Sequence, residues 1–138
     1  MAKPVKCLLD TNMVLRYLLN DVPEQFTVAK QVFDGLRTGE RSAVLLESVL
    51  AECVYVLKLH YKVPKDELAV MLDNVLRYPG IVNTDKQSLR EALHLYAAHN
   101  IDFVDCILVA NARAGALELV TFDQGLIKLN NRAQGEFS

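Results

Sequence analysis

No two cysteines of this chain stand at metal-ligand spacing, no apolar run is long enough to cross a bilayer, and positive charge is not in surplus. Each absence excludes something. Cys7, Cys53 and Cys106 lie far apart, each inside an apolar run, with no CxxC or Cys/His grouping. That argues against a zinc site and for small buried hydrophobes in a reducing cytosol. No apolar stretch approaches the roughly 18 residues that a membrane-spanning helix needs. The opening MAKPVKCLLDTN carries a charge but no apolar core of signal-peptide length before Asp10. A soluble, cytoplasmic protein is expected. Fifteen Lys and Arg against 17 Asp and Glu give a net charge of -2, which excludes a whole-surface electrostatic grip on nucleic acid. It leaves open a local basic patch, or a metal that bridges acidic groups to phosphates.

A chain of 138 residues suffices for a single domain, 1–138, with one core and no disulfide or metal staple. No internal repeat, low-complexity segment or linker interrupts it. Val5–Leu9 reads as a short buried strand, followed by a helix from about Asn12 to Asn20. Pro23 is placed to open a second helix that fades at Gly39. SAVLLE (42–47) is a second strand, leading into a helix over Ser48–Tyr61. Pro64 starts another helix, stopped by Pro79-Gly80, and Ile81–Thr84 is a short third strand. Helices follow over 86–99 and Phe103–Ala114, then the strand Glu118–Phe122, which ends on Asp123. Residues from about 130 to 138 read as a polar tail or a last edge strand. Short apolar strands separated by helices predict an α/β fold with a parallel sheet covered on both faces. In such sheets ligands bind at the carboxyl ends of the strands, where Asp10 and Asp123 both fall.

The placement of four acids is the informative feature. Asp10 ends an apolar strand and Asp123 ends ELVTFD; Glu52 is the only charge between Glu47 and Lys58, and Asp105 the only charge between Asp102 and Arg113. Acidic residues are rarely buried unless something pairs with them. Each has an ordinary structural reading. Asp10 and Asp102 suit helix N-caps, Asp105 suits the first turn of a helix, Asp123 suits a turn, and Glu52 suits a helix edge. Taken together these require four separate coincidences. If the acids converge, two carboxylates about 5 Å apart repel by roughly 3 kcal/mol at an effective dielectric near 20. With no basic residue beside any of them in sequence, a divalent cation is the natural partner. All-oxygen ligands favour Mg²⁺ or Mn²⁺, one or two ions, over zinc. Such a site activates water for phosphodiester hydrolysis and needs no nucleophilic Ser or Cys.

LLDTN, a lone Glu in VLAECVYVL, DFVDCILVANA and VTFDQGL, in that order, resemble the PIN domain, and more closely the VapC-type toxins of toxin–antitoxin pairs. The resemblance covers essentially the whole chain. It implies a three-layer α/β/α sandwich with a central parallel sheet of four to five strands. It also implies Mg²⁺- or Mn²⁺-dependent endoribonuclease activity, a homodimer, and inhibition by a small antitoxin. It assigns Asp10, Glu52, Asp105 and Asp123 to the family's catalytic, metal-binding quartet. Asn12 matches the polar residue two places after the first Asp, Thr121 the hydroxyl residue before the last, and Asp102 a frequent extra acid; these three support the ligands. Gln124 stands where relatives often carry Lys or Arg, so no RNA-contacting basic residue is assigned.

His94 and His99 are five apart, not the three or four that align two ligands on a helix, so the histidines read as surface or interhelical residues. The tyrosines read as core or helix-edge residues, and Arg16 as facing either the site or solvent. Other functions fit less well. A receiver-like Mg-binding phospho-acceptor domain wants adjacent acids after its first strand and a late lysine. A DxD phosphatase wants an acid at position 12, which is Asn12. A PIN-like module that only binds RNA or protein is opposed by the intact quartet.

Overall fold

The computed structural model describes residues 6–137, with side chains through Arg132. The expected strand start at Val5, the reading of the amino-terminal stretch before it, and Ser138 lie outside the described residues. The chain packs into two compact units, the first running to Lys86 and the second starting at Gln87.

In the first unit, β1 (Lys6–Leu8) pairs in parallel with β2 (Ser42–Val44), with Cys7 opposite Ala43. Parallel neighbours need a long crossover, which α1 (Thr11–Leu19) and α2 (Pro23–Thr38) supply. Pro23 occupies the first turn of α2, and Gly39 closes it at φ 87°, a left-handed conformation that glycine adopts without strain. α3 (Glu47–Tyr55) runs on into a π-helical turn over Val56–His60, and α4 (Lys65–Leu76) follows. Val14, Leu15, Phe33, Leu50, Val54 and Leu72 are among the buried residues of these helices. Tyr17 stacks on Phe33 with ring centroids 4.2 Å apart.

Two strands and a single bridge stand, among the described residues, where four to five strands were expected. The bridge joins Ala43 to Ile81 in parallel. Beyond it the backbone ladder gives way to a side chain: Leu45 N–H donates to Asn83 Oδ1 at 2.9 Å, and Asn83 Nδ2 donates to the Leu45 carbonyl at 2.6 Å. One amide thus occupies the place of a strand residue and ends pairing early. β1 is also less buried than its apolar run suggested, because it lies at the end of the strand order; Leu8 is 70% exposed and only Leu9 beyond it is buried.

The second unit holds α5 (Lys86–Ala98), α6 (Phe103–Ala114) and α7 (Gln124–Phe137). Tyr96 meets Phe103 edge-on at 5.6 Å, and Arg113 pairs with Glu91 at 3.0 Å. Two expectations fail here. The ELVTF segment makes no ladder, and Phe122 is fully exposed at 102%; β-propensity describes fit to a half-buried pleated surface rather than a backbone preference of its own. Residues from about 130 onward are neither loose tail nor edge strand but the continuation of α7 through Phe137. No helix is long and apolar enough, among the described residues, to cross a membrane.

The doubly bonded Asn83 carries the end of β2. Asn83→Ala removes both partners of the buried Leu45 main chain and is expected to cost about 2 kcal/mol in urea unfolding. A change of only a few tenths would show that the bracket carries no stability.

Candidate metal centre

Asp10 follows β1 and is itself the N-cap of α1, in extended backbone at φ -93°, ψ 168°. Its Oδ1 accepts the Met13 N–H at 2.8 Å. The ordinary reading of Asp10 as a cap is therefore correct, but it occupies one oxygen and leaves Oδ2 open. Asn12 is exposed and lines, with Asp10, Met13, Arg16, Glu24 and Gln25 among others, a groove of about 350 Å³. Arg16 does not neutralise Asp10. Its Nη1 donates to both oxygens of Asp21 at 2.8 Å and its Nη2 to the Tyr61 hydroxyl at 2.9 Å. Glu52 lies exposed within α3. The neighbouring Cys53 thiol registers both acids: burial first, then Glu52 and Asp10, push its pKa up to about 12. Cys53 is thus an inert, protonated core thiol lying within electrostatic range of two carboxylates.

In the second unit Asp102 is the N-cap of α6, yet its side chain makes no capping hydrogen bond. Asp105 sits in the first turn of the same helix. Asp123 repeats the arrangement of Asp10. Its Oδ1 accepts the Leu126 N–H at 3.1 Å at the start of α7, and its own N–H donates to Thr121 Oγ1 at 3.0 Å. Thr121 accordingly fixes the backbone from which Asp123 projects. Burial, then Asp102, then Asp123 hold the Asp105 carboxyl above its ordinary pKa.

Of the sequence-assigned acids, Asp10 and Glu52 thus belong to the first unit, and Asp102, Asp105 and Asp123, which act on one another electrostatically, to the second. None of the five is in an ion pair with a described residue. No three His, Cys, Asp or Glu side chains among the described residues are close enough to hold an ion by themselves. The donor chemistry suits a hard cation all the same. The open atoms are carboxylate oxygens, and the like charges around Asp105 lack a counter-charge, which is the condition Mg²⁺ or Mn²⁺ relieves. Cys53 and Cys106 are buried and Cys7 is half-buried, so no thiolate competes for zinc. Of the histidines, His60 packs edge-on against Tyr61 at 4.8 Å, away from any acid of the quartet in sequence.

The PIN domain family model matches residues 7–131. The chain is 29% identical, over 124 residues, to a VapC ribonuclease of Aquifex aeolicus (strain VF5), covering 88% of this chain and 90% of that protein. No solved structure matches the chain.

The raised pKa of Asp105 fixes the sign of a pH effect. The folded state holds this proton more tightly than the unfolded chain, so stability falls as pH rises from the ordinary value of 3.8 through the folded pKa. In chelator at neutral pH, Asp105→Asn is expected to melt above wild type, with the difference vanishing well below pH 4. A wild type that melts as high as the variant at neutral pH would contradict this assignment.

Proposed function

The chain belongs to the PIN domain family, and on that premise we propose that it is a divalent-metal-dependent endoribonuclease, the toxin of a toxin–antitoxin pair. The observation that carries the reading is the Asp105 carboxyl in the first turn of α6, held above its ordinary pKa by burial first and then by Asp102 and Asp123, with no ion pair to a described residue. Asp10, Glu52, Asp105 and Asp123 together would hold one or two Mg²⁺ or Mn²⁺ ions. When bound, the metal supplies Lewis-acid activation of a water and offsets negative charge on a phosphoryl oxygen.

The residues of the chain do the positioning. The caps made by Asp10 and Asp123 lock each carboxylate to a helix start through Oδ1, so the second oxygen is aimed without further loss of side-chain freedom. Thr121 holds the Asp123 backbone, and the uncapped Asp102 adds negative potential beside Asp105. Asn12 and Gln25 line the groove with Asp10 and are neutral donors available to an RNA strand there. The VapC-type likeness extends the proposal to a cytoplasmic homodimer held inactive by a small antitoxin. A second reading, an RNA-binding module without catalysis, is favoured by one observation: no three described acids stand at ion-holding distance.

RNA cleavage separates the two. Wild type with Mg²⁺ or Mn²⁺ is expected to cut single-stranded RNA and to stop on addition of EDTA. Asp10→Asn and Asp105→Asn should each lose roughly a hundredfold in rate or more. Because Asn caps a helix about as well as Asp, Asp10→Asn should keep its fold, so its loss would be chemical. Equal cleavage by all three proteins would rule out the acidic metal mechanism.

A further inference from the structure

The second unit carries a groove of about 240 Å³ between the α5–α6 connection, His99, Asn100 and Ile101, and one face of α7, Gly125, Lys128 and Arg132. Lys128 and Arg132 are four residues apart, so their side chains rise from the same helix face about one turn apart. Both are exposed, and neither is ion-paired or hydrogen-bonded to a described residue. The groove starts at the acids. Ile101 directly precedes Asp102, and a Cβ placed on Gly125 would lie 3.2 Å from Asp123 Oδ1 and 3.9 Å from Ile101 Cδ1. Gly125, which lines the groove, thus has Asp123 Oδ1 as its immediate neighbour, and any side chain there would crowd it.

We propose that this groove seats the phosphodiester backbone of the RNA strand beside the scissile position, with Lys128 and Arg132 as its phosphate contacts. The inference rests on the ribonuclease reading above and names the substrate contacts it lacks. A chain of net charge -2 with a cluster of uncompensated carboxylates repels RNA at the very place where cleavage is to occur. Two unpaired cations flanking that cluster supply the local attraction which the overall charge does not. The contact is to phosphate and sugar, so it positions the strand without reading its sequence.

The test is equilibrium binding of a fluorescent single-stranded RNA oligonucleotide to the full chain in EDTA, where cleavage is absent, across a salt series. Lys128→Ala/Arg132→Ala should bind roughly tenfold more weakly, with a slope of log affinity against log salt shallower by about 1.4. A Lys128→Arg/Arg132→Lys swap should restore both affinity and slope. The pair Lys58→Ala/Arg77→Ala removes the same charge from exposed positions of the first unit and should leave binding near wild type. Full affinity and slope in the Lys128/Arg132 double variant would overturn the groove alone, as would an equal loss in the Lys58/Arg77 pair. A wild type with no affinity for RNA would overturn the ribonuclease reading and the groove together.

Discussion

Negative charge gathered at helix starts is the constraint that organises this molecule. Asp10 begins α1, Asp102 begins α6 and Asp123 begins α7. A helix N-terminus carries about half a positive charge in partial charges on its unsatisfied N–H groups. One carboxylate at each start is therefore accommodated, and at α1 and α7 it also satisfies an orphan donor. Asp105 adds a second acid to the first turn of α6, and there the helix end no longer suffices. Burial and two like charges then keep its proton bound more tightly than in a free chain. The imbalance at this helix start is what the proposed hard divalent cation would relieve.

Capping and the proposed metal binding are consequently compatible roles for these aspartates. A carboxylate has two oxygens, and in Asp10 and Asp123, both exposed, Oδ1 accepts a backbone N–H while no hydrogen bond to a described residue takes up Oδ2. The cap fixes the rotamer, which is what a ligand needs before its ion arrives. Glu52 reaches its place differently, from within α3 and one turn before the π-helical widening at Val56. Like Asp10, it acts electrostatically on the Cys53 thiol, whose pKa burial first and then the two acids raise.

The helix starts were more legible in the sequence than the sheet. An acid isolated in an apolar run has few structural excuses, so Glu52 and Asp105 stood out, and the helix starts at Pro23 and Asp102 followed from local chemistry. Strands depend on partners that local sequence does not contain. SAVLLE stops pairing at Val44 because Asn83 takes over, and ELVTF has strand-forming residues but no ladder. The polar composition of NNRAQG masked a helix, α7, whose apolar contacts come from Leu126 and Leu129 earlier in its length. The Lys128/Arg132 groove was invisible for a related reason: its two walls come from segments more than twenty residues apart.

Whether the acids of both units serve one ion is decided by Mn²⁺ binding, measured calorimetrically in a double-mutant cycle of Glu52→Gln and Asp123→Asn. If they share the ion, each single variant loses most of the affinity and the double variant loses far less than the sum. Strictly additive losses, or wild-type Mn²⁺ affinity in either single variant, would contradict a shared centre.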